Sequence, residues 1–239
     1  MRSLLAAALA TLVAFAVLIG LGIWQLQRLA WKDGLIAAIA ERAHAAPVPA
    51  PHEVEWRDFS TREAEYRRVD MRGVYDPKGQ ALVFRALQTP HGRASGPGYF
   101  VITAFRPTTG GIVLVNRGFV PEDRKAEATR LPRGEVPVVG LLRASEVHGA
   151  FTPSDDPVRG LWFTRDIAAI AKAGGLGEVA PFSVDAEAGA LGELPQGGET
   201  PLTFPNNHAA YAATWFGLAA ALVLVFGLFA RTRLREIRG

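Results

Sequence analysis

The chain has no cysteine. That removes disulfides, thiolate nucleophiles, iron–sulfur clusters and cysteine-ligated zinc from consideration together. Charge of one sign is missing as well: 26 Lys and Arg stand against 23 Asp and Glu, a formal net charge of +3. No basic stripe runs through the middle of the chain, so nucleic acid is excluded as a partner. Histidine is sparse, at positions 44, 52, 91, 148 and 208, and none of the five shows His-x-His or His-x-x-x-His ligand spacing. The glycine-rich "GRASGPG" has no following Lys-Ser/Thr, which argues against a phosphate loop.

Long uncharged runs are present. Leu4–Ile23 is 20 residues without a charge and Ala209–Ala230 is 22 more. At 1.5 Å per residue each spans roughly 30 Å, the thickness of a hydrocarbon core. The first run exceeds the 7–15 apolar residues of a signal peptide, and the Ala-x-Ala at Ala43-His44-Ala45 is some twenty residues beyond it, too far for processing. It reads as an uncleaved anchor. Five of the basic residues lie in the tails (Arg2, Arg231, Arg233, Arg235, Arg238) with one acid, Glu236, leaving 21 basic and 22 acidic residues between Gln27 and Asn207. Positive short tails stay inside. The expected organisation is therefore a cytoplasmic N-terminus at 1–3, a span at 4–26, a periplasmic β-rich domain with a leading helix at 27–207, a second span at 208–230 and a basic cytoplasmic tail at 231–239. In a bacterium this is the inner membrane, in a eukaryote the mitochondrial inner membrane.

"WQLQRLAWKDGLIAAIAERAHAA" continues the first span helically, and the prolines of "PVPAPHE" end it. Apolar or alternating runs bounded by Gly and Pro follow at Tyr66–Tyr75, Ala81–Leu87, Tyr99–Phe105, Ile112–Val115, Val136–Leu142 and Pro181–Val184. Tyr99–Phe105 and Ile112–Val115, joined by "RPTTGG", form a predicted hairpin. The charged "PEDRKAEATRLPRGE" reads as a connector, and a helix is expected over roughly 166–173 with Asp166 as its N-cap. "ELPQGGETPLTFP" reads as a loop leading to the second span. The fold class is a membrane protein with two transmembrane α-helices flanking a mainly antiparallel β (α+β) extramembrane domain.

Catalytic candidates are poor. Ser95 and Ser145 lack a nucleophile-elbow context, and Asp155-Asp156 before Pro157 read first as a turn and second as an acid pair. The chain is not expected to be an enzyme, although a membrane-anchored hydrolase is the reading that a nucleophile–base pair would revive. Arg117 in "VNRGF" ends a strand, where it serves either a structural ion pair or a partner. At the start of the second span His208, Tyr211, Ala212 and Trp215 share one face over two turns. A histidine there is costly to bury without a partner or ligand. It is either an interfacial residue within an aromatic belt or a metal or haem ligand with aromatics against a flat ring. Trp24 and Gln25, ending the first span, are placed to face the same region.

"GIWQLQR", "LVNRGFVP", "PVRGLWFTRD" and "PNNHAAYAATWFGLA" together resemble the Surfeit locus protein 1 (Shy) family, assembly factors for haem-copper cytochrome c oxidase, over nearly the whole chain and in order. Two departures stand out: Ala209 follows His208 where family members often have Leu, and Asp155 stands where they often have Asn. The resemblance implies transient binding of haem a, with His208 as ligand of the haem iron and Trp215 assisting. It makes Tyr211, Trp24 and Gln25 cofactor-contact candidates and Asn116, Arg117 and Arg28 partner-contact candidates. The implied partners are the oxidase catalytic subunit, haem a synthase and membrane lipid. The alternative is a non-haem membrane scaffold that holds a nascent oxidase subunit.

Overall fold

The computed structural model describes residues 2–238; Met1 and Gly239, the outermost residues of the two expected tails, lie outside the described residues. The chain divides into two compact units, one comprising the first helix up to Ala38 and everything from Thr203 onward, the other Ile39–Leu202.

The first unit is built on two helices. Helix α1, Arg2–His44, contains the first apolar run and the predicted leading helix as one uninterrupted element; Pro47 and Pro49 stop it within five residues of its end. The last helix, named α4 below, covers His208–Arg238. Both are long and apolar enough to cross a membrane. Leu5, Leu9, Leu12 and Val17 on α1, and Leu224, Val225 and Leu228 on α4, are all exposed. A helix with apolar side chains facing outward is suited to lipid rather than water. Where the two helices meet, Gly22 of α1 lies against Phe216: a Cβ on Gly22 would fall 2.5 Å from the Phe216 ring.

The second unit is a β-barrel. Its strands are β1 (Val48–Pro49), β2 (Arg68–Leu87), β3 (Gly96–Pro107), β4 (Val113–Pro121), β5 (Val136–Ala144) and β6 (Phe182–Ala186), with the short helices α2 (Thr61–Ala64) and α3 (Ile167–Ala173). The order β1-β2-β3-β4-β6-β5 closes on itself through a second pairing of β2 with β5. β2 reaches both neighbours because it is long: Arg68–Gly73 pair with β5, and Gly73–Leu87 with β3. The runs expected at Tyr66–Tyr75 and Ala81–Leu87 are thus one strand that begins at Arg68, after the turn at Tyr66, and is interrupted by a register shift between Asp76 and Ala81. The predicted β3–β4 hairpin forms, with Phe105 opposite Val113. Pairing is antiparallel except for β4–β6 and β1–β2.

Alternation along the strands sorts side chains into separate cores. Phe105, Val113, Val115, Phe182 and Val184 pack with Trp56. On the opposite face Ile102, Ala104 and Leu114 pack with Trp162 and with Ile167 and Ile170 of α3. α3 starts where expected: the Asp166 carboxylate accepts from Ala169 N–H at 3.0 Å. The charged connector is not an open loop; its residues Glu122–Thr129 form a 3-10 helix with a kink at Arg124.

Candidate functional site

In the helical unit, a short ladder of polar contacts fixes how α4 begins against α1. The Lys32 ammonium donates to the Pro205 carbonyl, and Asn206 donates its side-chain N–H to Asp33 at 2.8 Å. Two turns lower, His208 Nδ1 lies 2.6 Å from Gln25 Oε1. An amide oxygen accepts, so this pairing favours the tautomer with the proton on Nδ1, whose lone pair is on Nε2. Gln25 is buried and His208 half-buried. A histidine whose tautomer is set by an acceptor on one nitrogen, leaving the other basic, has the arrangement found behind metal-bound imidazoles.

Around this pair the expected residues separate. Trp215 is half-buried, and Ala212, with only 2% of its surface exposed, lies in the seam between the helices. Tyr211 is 57% exposed and Trp24 50% exposed, so neither shares the buried position of Gln25. Gly217 has nothing within 4 Å of the place a Cβ would occupy, and Ala209, Ala210 and Ala213 are exposed. These small residues lie on the side of α4 away from the face that His208 and Trp215 share. Arg28 lies on the exposed side of α1 with its guanidinium 4.4 Å from the Trp31 ring.

The barrel unit holds a second concentration of polar groups, around Asp185 of β6. This carboxylate is buried and accepts from Arg165 at 2.7 Å, Arg143 at 3.2 Å, Thr200 at 2.9 Å and Asn116 at 3.1 Å. Burial pushes the Asp185 carboxyl up, but the two guanidinium groups and the two neutral donors outweigh it and hold the group below its ordinary range. The neighbouring Glu199, 1% exposed, accepts from the backbone of His91 and Gly92 and from Gln196.

This cluster shows what "VNRGF" does locally. Asn116 bridges, donating to Asp185 and accepting from Gly118 N–H at 3.1 Å. Arg117 donates to the carbonyls of Ala128 and Arg130, pinning the 3-10 helix, and lies 5.4 Å from the Tyr75 ring. Gly118 has φ 125°, and a Cβ there would meet the Gln196 backbone at 2.2 Å. Phe119 and Gln196 exchange both backbone hydrogen bonds at 2.8 Å at that crossing. Asn116 and Arg117 are engaged inside the barrel unit. Asp155 accepts from Phe163 and Thr164 N–H, and Asp156 from Arg159 N–H, so the two side chains serve separate turns rather than one acid pair.

Sequence reading did not single out Asp185, Arg143, Arg165 or Glu199. Arg165 lies within the quoted "PVRGLWFTRD", yet nothing in that string announces that it folds onto a carboxylate twenty residues later.

The SURF1 family matches residues 12–220 of the chain. The chain belongs to this family. It is 37% identical to Surfeit locus protein 1 of Rattus norvegicus over 220 residues, covering 86% of this chain and 70% of that protein. The human protein of the same name is 36% identical over 217 residues, 84% of this chain and 70% of its own length. A SURF1-like protein of Drosophila melanogaster is 34% identical over 224 residues, 86% and 71% respectively. The matched region contains both the Gln25–His208 pair and the Asp185 cluster, and for this SURF1 family member the two apolar helices and the β-rich domain make a membrane protein.

Proposed function

We propose that this protein is an assembly factor for haem-copper cytochrome c oxidase, which holds haem a at His208 and passes it to the maturing catalytic subunit. Membership of the SURF1 family supports the assembly role, and one observation carries the haem reading: Gln25 Oε1 lies 2.6 Å from His208 Nδ1, a pairing that favours the tautomer with its lone pair on Nε2. Neutral imidazole is an ordinary axial ligand of haem iron. The residues present fit such a cargo. Trp215, half-buried, offers an aromatic face two turns from the histidine on the same side of α4. The protein's own part is to hold, orient and release; none of its residues is assigned a bond-making step. The basic residues at the end of α4, Arg231, Arg233, Arg235 and Arg238, favour a cytoplasmic tail, which puts the barrel on the periplasmic side in a bacterium.

The test is a pigment spectrum of the full-length protein purified from cells that make haem a, for wild type and for His208→Ala. The expected outcome is a Soret band in the wild type that largely disappears in the variant, with protein accumulation unchanged. Equal haem content in the two would refute the ligand role of His208 and leave the scaffold reading.

A further inference from the structure

The Asp185 cluster forms the floor of a cavity of about 260 Å³ in the barrel unit, whose walls include Val83, Leu87, Phe100 and Ile102. The site is thus amphipathic: apolar walls above a polar floor. The floor contains an unspent capacity. Arg165 has only 6% of its side chain exposed. Its Nη1 is engaged by Asp185, but Nε and Nη2 are buried without a hydrogen-bond partner in the protein. A second carboxylate, Glu146, stands 3.7 Å from Nη2, beyond hydrogen-bonding reach. Buried unsatisfied donors are costly, and more so on a charged group. Two on one guanidinium edge, beside a cavity, point to an acceptor oxygen that arrives from outside.

The charge balance decides which acceptor. The Nε–Nη2 edge has the fork geometry that a carboxylate fills. However, the cavity already matches three guanidinium groups, Arg85, Arg143 and Arg165, with the three carboxylates Glu146, Asp185 and Glu199. A fourth carboxylate in a site with little water would be repelled by three others, whereas a neutral oxygen with two lone pairs takes both donors at no such cost. We propose that this cavity binds a small uncharged ligand with an apolar body and one carbonyl oxygen, an amide, ester or ketone, held by Nε and Nη2 of Arg165. Its volume lies near the lower bound of small-molecule pockets, about 300 Å³, so the occupant is a small group. The site is independent of His208 and of haem.

The absence of cysteine makes a direct test available. Ala86, exposed and lining the cavity, becomes the only thiol of the full-length protein in Ala86→Cys; Val54→Cys, at a position 90% exposed, is the control. Each is equilibrated with N-butanoyl-cysteamine disulfide, which ends in an amide and an apolar tail, and with N-succinyl-cysteamine disulfide, which ends in a carboxylate. Adducts are followed by intact mass as mercaptoethanol is raised. The butanoyl adduct at position 86 is expected to survive about five-fold more reductant than at position 54, the equivalent of one recovered hydrogen bond, and to outlast the succinyl adduct. Adding Arg165→Lys to Ala86→Cys should abolish the advantage. A succinyl adduct that outlasts the butanoyl one overturns the proposal in favour of an anion site. Equal retention at positions 86 and 54 overturns it in favour of donors satisfied by water.

Discussion

Two residues illustrate how differently a polar side chain can be used in this molecule. Arg117 closes three contacts, with two carbonyls of the 3-10 helix and with the Tyr75 ring. Removing it loses both hydrogen bonds, with Gln80 left as the side-chain donor to the Ala128 carbonyl, at about 0.5–1.5 kcal/mol per bond. Arg117→Ala is therefore expected to lower the melting temperature of the full-length protein by several degrees, read by circular dichroism. An unchanged melting temperature with impaired oxidase assembly would move Arg117 from the fold to a partner surface. Gln25 makes one contact of consequence, the one to His208. Gln25→Leu removes the acceptor that favours this imidazole tautomer while keeping the volume. Loss of such an outer partner typically weakens a bound group by 10–100-fold. The expected result is a haem titration shifted to weaker affinity in Gln25→Leu but not abolished, in contrast to His208→Ala.

At the level of elements, the parts that were legible are those governed by local rules. The two apolar runs become α1 and α4 because nothing in 20 uncharged residues can satisfy backbone groups in lipid except a helix. Asp166 caps α3, and glycine-rich "RPTTGG" turns the β3–β4 hairpin, because capping and turn chemistry act within a few residues. What the sequence hid is set by distant pairing. No periodicity shows that β2 bends through its register shift to pair with β3 at one end and β5 at the other, closing the barrel. Helix contact in the membrane unit is equally non-local. Gly22 is small because the Phe216 ring occupies the place of its Cβ. Gly22→Leu should force α1 and α4 apart and loosen the Gln25–His208 pair above it. Cysteines placed at Ala212 and Gln25, both buried, are expected to cross-link in an otherwise wild-type background and to do so poorly with Gly22→Leu present. Undiminished cross-linking would show that the seam does not depend on this approach.

Across the whole molecule, the candidate site divides along the same line. His208 and Trp215 were visible because a histidine at the start of an apolar run is anomalous on its face, whereas the Asp185 cluster draws Asn116, Arg143, Arg165 and Thr200 from separate strands and loops and carries no local signature. That cluster makes the protein's stability depend on pH. In addition to Asp185, Asp155 is held below its ordinary range: burial raises it, but Phe163 and Thr164 N–H, the Thr164 hydroxyl and His148 outweigh that. Asp76 is lowered chiefly by Lys78 N–H, with Arg106 assisting. A carboxyl whose folded pKa lies below its unfolded value of about 3.9 contributes stability that is complete above that value and is lost as pH falls through the folded pKa. At the alkaline end the sign reverses for Tyr75, which burial pushes up to about 12 against the nearby Arg117 charge. The folded state retains that proton while the unfolded chain releases it from about pH 10, so stability declines between pH 10 and 12. The melting temperature of the full-length protein should therefore stay level through the neutral range, fall below about pH 4 and fall again above about pH 10. Tyr75→Phe has no proton to lose and should make the alkaline limb shallower, the remainder belonging to Tyr66, which burial also pushes up, while the acid limb stays unchanged. An alkaline limb of the same depth in Tyr75→Phe would mean that another group governs it and would remove Tyr75 from the account.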